Sequence, residues 1–316
     1  MSNTTELQKK TGDKWSQYYS QSHKARTRWW QSPFIIRFIN EKIAGKPLEG
    51  FSQGLINRAM QLADDRYPFH RGISVGCGNA SKEINLIVQG LVASFTLFDL
   101  SQVSIEKGKE SARKAGVEDK VNFILGDAFE TLIVKEWFDF VHWNNSLHHM
   151  HNVEEAVRWS YSVCKKGGMF FMDDFVGPNR FQWSEKMLAI ASMVRSCLPE
   201  KYLVKPPSSL KEHLKKMMGR KAFFARRLER PSIQNMILND PSEAADSERI
   251  IQSVKKYFPN AEITLTGGVI YHHALNDILQ NFDEEKDKWV LNLFMIIDDL
   301  CTDLGETHYA TALAIK

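Results

Sequence analysis

Three short apolar runs in this 316-residue chain end in residues that can hold a polar ligand. In residues 72–81, GISVGCGNAS, Gly76 and Gly78 permit positive φ and close backbone approach, and the helix that follows offers unpaired N–H groups. Asp99 closes FTLFDLS, where a strand-tip carboxylate can accept both hydroxyls of a ribose. Asp127, in LGDAF after the third run, stands where it can accept from an adenine amino group. Two acids at successive strand tips are hard to dismiss as solvated surface. The rival pattern, a GxGxxG turn that seats a pyrophosphate, needs glycine or alanine at position 81, and Ser81 stands there.

Groups able to move a proton cluster after later strands: His148 and His149 after the fourth, Asp173 and Asp174 at the end of the fifth, Tyr271, His272 and His273 after the sixth. An imidazole with an ordinary pKa near 6.5 suits proton abstraction around neutrality. His272 ranks first as the base, because Gly267 and Gly268 free the chain to turn back toward the strand tips carrying Asn144 and Asp174. His148 is the second candidate, with helix capping and packing as its alternative, and Asp174 is expected to orient a histidine. A hard cation prefers several carboxylates, whereas the fourth strand offers Asn144 and Asn145, so no metal is expected. The four cysteines lie far apart without a CxxC pair and read as reduced thiols.

The elements needed to position these residues follow from a change of period. Short apolar runs alternate with amphipathic stretches from residue 72 to 176, which implies an α/β, doubly wound, mostly parallel seven-stranded sheet. Residues 1–65 are expected to form an N-terminal helical segment or lid, 66–177 the ligand-binding α/β core, and 178–245 a helical cap insertion. Residues 246–316 would complete the core, with a helical pair over 273–303 between the sixth and seventh strands. The helix after the fourth strand is expected to run through VEEAVRWSYSVCKKGG.

Composition narrows the function classes. The net charge of +3 is too mild to demand a nucleic-acid or membrane partner. Between Lys201 and Arg230, however, ten basic residues face only Glu212 and Glu229. A solvated cap face is the first reading of this block, an anion pocket the second and an RNA-binding surface the third. A polar N-terminus without an apolar core segment, and no stretch of membrane-spanning length, make a cytoplasmic protein the default expectation.

The series VGCG, FDLS, LGDAF, FDFVHWNNSLHHM and CKKGGMFFMDDF resembles the motifs of class I S-adenosylmethionine-dependent methyltransferases. GPNRFQW, RPSIQNMILNDPSEA and GGVIYHHAL resemble a bacterial subgroup from glycan or natural-product pathways. The resemblance implies S-adenosylmethionine as cofactor, with Gly76, Cys77 and Gly78 on its methionine side, Asp99 at the ribose, Asp127 and Ala128 at adenine, Asn144 beside the methyl group, and Leu100 also in the cofactor site. It implies an antiparallel seventh strand. Two departures stand out: Ser74 occupies a position where an acid is common, and Asn79-Ala80 replaces a usual third glycine. The expected activity is methyl transfer to an oxygen, ahead of a nitrogen, of a small molecule or glycan precursor. An RNA methyltransferase and a non-catalytic cofactor-binding regulator are the alternatives, and nothing in the sequence sets the oligomeric state.

Overall fold

The computed structural model describes residues 2–20, 28–132, 134–207 and 221–316. Seven strands form one sheet: β1 (Gly72–Val75), β2 (Phe95–Asp99), β3 (Val121–Leu125), β4 (Phe138–Asn144), β5 (Cys164–Phe175), β6 (Glu262–Gly267) and β7 (Tyr309–Ile315). Their order is β3-β2-β1-β4-β5-β7-β6, and β7 alone runs antiparallel to its neighbours. Strand order reverses at β1, between β2 and β4, which opens a crevice at the carboxyl ends of those strands.

The period of two along each strand sorts side chains to opposite faces. Ile73, Val75, Val141, Trp143, Phe170 and Met172 pack with α7 (Val153–Val163) and α10 (Ile250–Tyr257). Leu97, Phe140, Met169 and Phe171 pack on the other face with α3 (Gln53–Ala63) and α4 (Ser81–Val88). Before α3 comes α2 (Pro33–Ala44), started by Ser32, whose hydroxyl accepts from the Ile35 N–H at 3.2 Å, and stopped by Gly45 at φ +69°. The first helix, α1 (Ser2–Ser20), lies against α5 (Gln102–Lys114). A single turn, α6 (Ala128–Thr131), follows β3.

The helix before β5 is shorter than its sequence suggests. It stops at Val163, because Cys164 already pairs with Phe138 of β4, and the Gly167 N–H donates to the Lys316 carbonyl at 2.8 Å. Sheet hydrogen bonds therefore claim the Lys-Lys-Gly-Gly stretch. The expected helical pair over 273–303 is also different: one α-helix, α11 (Lys288–Asp303), is preceded by a π-helical turn at Val269–Ala274 and a 3₁₀ turn at Leu279–Asn281. Buried Asp298 of α11 accepts from the Gly268 and Ile270 N–H groups at 2.9 and 2.6 Å, which fixes the π turn. A Cβ on Gly267, at φ +90°, would lie 1.9 Å from that carboxylate.

The segment between β5 and α10 contributes α8 (Glu185–Cys197) and α9 (Ile233–Asn239). Met187, Ala191 and Val194 of α8 join Tyr271, Leu275, Leu291 and Phe294 in a second apolar centre beside the sheet. Buried Arg195 ties it together, donating to the carbonyls of Ala274 and Ala225 at 2.8 Å and pairing with Asp277. Of the basic block, Lys211, Lys215, Lys216 and Arg220 lie outside the described residues. Arg226 points at the carbonyls of Arg195, Ser196 and Leu198 at the end of α8, and Arg230 bonds the Trp183 carbonyl and Glu185. No helix among the described residues is long and apolar enough to cross a membrane.

Candidate active site

A cavity of about 320 Å³ occupies the crevice at the carboxyl ends of β1–β4. Gly76, Cys77, Gly78, Asp99, Leu100, Asp127, Ala128 and Asn144 all line it. The other three residues singled out in the sequence, His148, Asp174 and His272, do not. His149 does, together with Lys82, Glu83 and two α1 residues, Thr11 and Trp15.

The glycine turn is built as its sequence implies. Gly76 and Gly78 take φ +70° and +56°, and a Cβ on Gly76 would approach the Ser146 Cβ to 3.0 Å. Ala80, in place of a third glycine, also sits at φ +53°, a geometry that costs a residue with a Cβ about 1–2 kcal/mol. Its buried methyl packs with Ile84 and Leu97 in return. Burial of the Cys77 thiol pushes its pKa well up, so it stays protonated.

Two carboxylates are held with one lone pair per oxygen in use. Asp99 accepts from the Gly78 N–H at 2.8 Å on one oxygen and from the Ser101 N–H at 2.8 Å on the other. Its outward lone pairs suit a vicinal diol. Asp127 accepts from the Phe129 N–H at 2.8 Å and from the Gln8 side-chain amide of α1 at 2.7 Å. Burial raises the pKa of both, against their hydrogen bonds. A second bond from α1, Ser16 Oγ to Ser101 Oγ at 2.9 Å, anchors that helix beside Asp99.

The wall opposite carries Lys82 and Glu83, which the sequence reading missed. Lys82 Nζ donates to the Asn144 side-chain oxygen; burial lowers its pKa, against the pull of Glu83, Asp173 and Asp174. Asp173, with Ser52 Oγ at 3.5 Å, is pushed up to about 6 by burial, partly offset by Lys82. Glu83 accepts from Ser74 Oγ at 2.7 Å and meets His142 Nδ1 at 2.9 Å. The sequence held one signal for this: a serine where an acid is common, followed by an acid in the first turn of the next helix.

Adjacent histidines separate into different environments. Asp174 accepts from the Ser146 and Leu147 N–H groups at 2.9 and 2.8 Å and from Phe175 N–H at 2.9 Å, which shapes the turn after β4. It also accepts from the His148 N–H at 3.3 Å and meets His148 Nδ1 at 2.6 Å, while His148 Nε2 faces Glu243 at 3.5 Å. Burial alone would depress the His148 pKa, but Asp174 and Glu243 override it and raise it to about 10. Glu243 is held at about 2, burial being outweighed by its hydrogen bond to His148 and the nearby imidazoles. His149 has Ser242 Oγ at 3.0 Å from Nδ1 and Trp15 edge-on at 5.3 Å. Burial and the neighbouring His148 charge lower its pKa. His148, His149 and Glu243 also bring one ligand-type atom each to within 4.8 Å of one another.

His272 lies apart from the cavity wall, near Phe175, Trp183 and Tyr309, with its Nδ1 3.3 Å from His308 Nδ1. Burial and the adjacent His273 hold its pKa down at about 3. This corrects the expectation of a base titrating near 6.5. The π turn sets it beside Phe175, the last residue of β5, at the edge of the second apolar centre and outside the lining of the cavity.

Residues 71–222 match a family model described as a methyltransferase domain. Over that segment the chain carries a methyltransferase domain. Over 106 residues, 34% of this chain, it is 32% identical to the 27-O-demethylrifamycin SV methyltransferase of Amycolatopsis mediterranei, covering 39% of that protein. Over 108 residues it is 30% identical to the demethylmenaquinone methyltransferase of Leptospira interrogans, 34% of this chain and 43% of that one. The matches thus span about two fifths of these curated relatives' length. Among solved structures, a phosphoethanolamine N-methyltransferase 2 of Haemonchus contortus, in complex with phosphomonomethylethanolamine and S-adenosylhomocysteine, superposes with a TM-score of 0.50. Identity there is 12%, over 96% of this chain and 60% of that one, a likeness of fold.

Proposed function

We propose that the protein transfers a methyl group from S-adenosylmethionine to a hydroxyl oxygen of a small molecule or glycan precursor. The observation that carries this reading is the cavity at the tips of β1–β4, where the glycine turn, Asp99, Asp127 and Asn144 meet. The cofactor fits the residues present. Asp99 offers paired acceptors to the ribose diol, Asp127 and Ala128 border the adenine, Leu100 and Phe98 supply apolar wall, and Gly76 to Gly78 lie along the methionine chain. The bound cofactor supplies an electrophilic methyl group on a sulfonium.

Methyl transfer is an in-line displacement, so the protein's contribution is positioning, exclusion of water and removal of the acceptor's proton. His149 is assigned as the proton acceptor. It is the histidine on the cavity wall, and its lowered pKa keeps it neutral at pH 7. His148 is charged between Asp174 and Glu243 and cannot accept a proton; with Asp174 it positions the turn that bears His149. A neutral base favours a hydroxyl acceptor, which must lose its proton, and the rifamycin relative is named for an oxygen target. The internal bonds of Arg226 and Arg230 support a structural role for the basic segment ahead of RNA binding.

The test is methyl transfer from labelled cofactor to hydroxyl-bearing glycan and polyketide acceptors. His149→Ala is expected to lower turnover by roughly 10²–10⁴-fold while S-adenosylhomocysteine still binds. Because His149 must be neutral to act and its pKa is lowered, wild-type activity should persist through the ordinary imidazole value near 6.5 and fall only at more acidic pH, and the variant's residual rate should lack that limb. Wild-type turnover in the variant would remove His149 from the mechanism.

A further inference from the structure

Glu83 is a buried acid whose two oxygens are treated unequally. The residue is 2% exposed, and both Ser74 Oγ and His142 Nδ1 bear on Oε1, at 2.7 and 2.9 Å. Oε2 is buried without a hydrogen-bond partner. A carboxylate oxygen shut away from water and left unpaired is costly, far more than a paired one. Ser74 and His142, which are not among the residues lining the cavity, hold Oε1, and Glu83 itself is part of the cavity wall. Lys82, the preceding residue, places a cation on the same wall, beside Asn144.

An adjacent anion and cation on one wall match a zwitterion. We propose that Glu83 and Lys82 grip the amino-acid end of the cofactor, Oε2 of Glu83 accepting from its ammonium and Lys82 facing its carboxylate. This rests on the cofactor reading above and names residues for the part of the site that the motif left undefined. Ser74 sits at the strand position where an acid is common, and its hydroxyl is instead a support for an acid delivered from the first turn of α4. The charge has moved from strand to helix. A purely structural Glu83, clamping β1 to β4 through Ser74 and His142, would use Oε1 alone and leave Oε2 orphaned.

Calorimetry with three probes separates these roles: S-adenosylhomocysteine, its deaminated analogue lacking the ammonium, and 5′-methylthioadenosine, which lacks the whole amino-acid end. Wild-type protein is expected to bind S-adenosylhomocysteine roughly ten- to a hundred-fold more tightly than the deaminated analogue, the scale of a hydrogen bond to a charged group. Glu83→Gln, which can still accept from Ser74, should lose that advantage and bind 5′-methylthioadenosine as wild type does. Equal wild-type affinity for the two homocysteine ligands would overturn the proposal without any variant. So would parallel weakening of all three probes in a folded Glu83→Gln protein. If none of the three binds the wild type, the cofactor reading itself fails, and that result is distinct from either of the others.

Discussion

An imidazole with carboxylates at both ring nitrogens is a fixed cation, and this decides what the neighbouring histidines can do. His148 lies between Asp174 and Glu243, and its pKa of about 10 exceeds the ordinary 6.5. Its stabilising contribution is therefore complete below about 6.5 and is lost as pH rises through about 10. Glu243, depressed to about 2, contributes above about 4.5 and loses that contribution as pH falls through about 2. Thermal melts should accordingly show wild type losing more stability than His148→Gln between pH 7 and pH 10. Parallel melting curves across that window would show that the ion pair does not stabilise the fold. At this scale Asp99 and Asp127 were legible because a carboxylate at a strand tip has few other reasons to be there. The choice of His149 over His148, and the parts of Lys82 and Glu83, were not: helix phase and the shape of one turn choose between neighbours, and neither is written in residue type.

Among the elements, α1 is the one whose place the sequence left open. It is polar, and its described side chains reach the cavity through single contacts: Gln8 on Asp127, Ser16 on Ser101, Trp15 against His149. Gly12 makes the approach close, since a Cβ there would lie 2.5 Å from the Leu100 carbonyl oxygen. Alanine in a helix interior ordinarily stabilises by about 1 kcal/mol over glycine. Gly12→Ala should instead weaken S-adenosylhomocysteine binding by about 1–3 kcal/mol, the range for overpacking, through faster dissociation. Unchanged dissociation in stopped-flow measurements would mean that α1 does not cover the ligand. Trp29, just before α2, is buried against Tyr271 and Tyr309. Strand positions, by contrast, followed from periodicity, because a parallel sheet covered on both faces demands continuous apolar runs. Where the reading of elements missed, at the end of α7 and over 269–281, hydrogen bonds to distant residues, Lys316 and Asp298, overrode local propensity.

On the scale of the whole molecule, two apolar centres share the work. The sheet positions the cavity, and beside it stands the second centre, built from α8, α11 and the π turn, with His272 against Phe175 and Tyr309 and Glu243 reaching His148. Along α11, Trp289, Leu293, Ile296 and Leu300 face outward from the chain. Two arginines of the basic segment, Arg226 and Arg230, are spent on carbonyls beside this centre. All of this arrangement matters for function only if the cavity takes the cofactor, and Asp99 is where that is decided. Titration of S-adenosylhomocysteine into wild type and Asp99→Ala, followed calorimetrically, should show binding to the wild type and an affinity loss of about 1.5–3 kcal/mol in the variant, the scale of hydrogen bonds to a charged group. An unchanged affinity in a folded Asp99→Ala protein would contradict the assignment of the cavity.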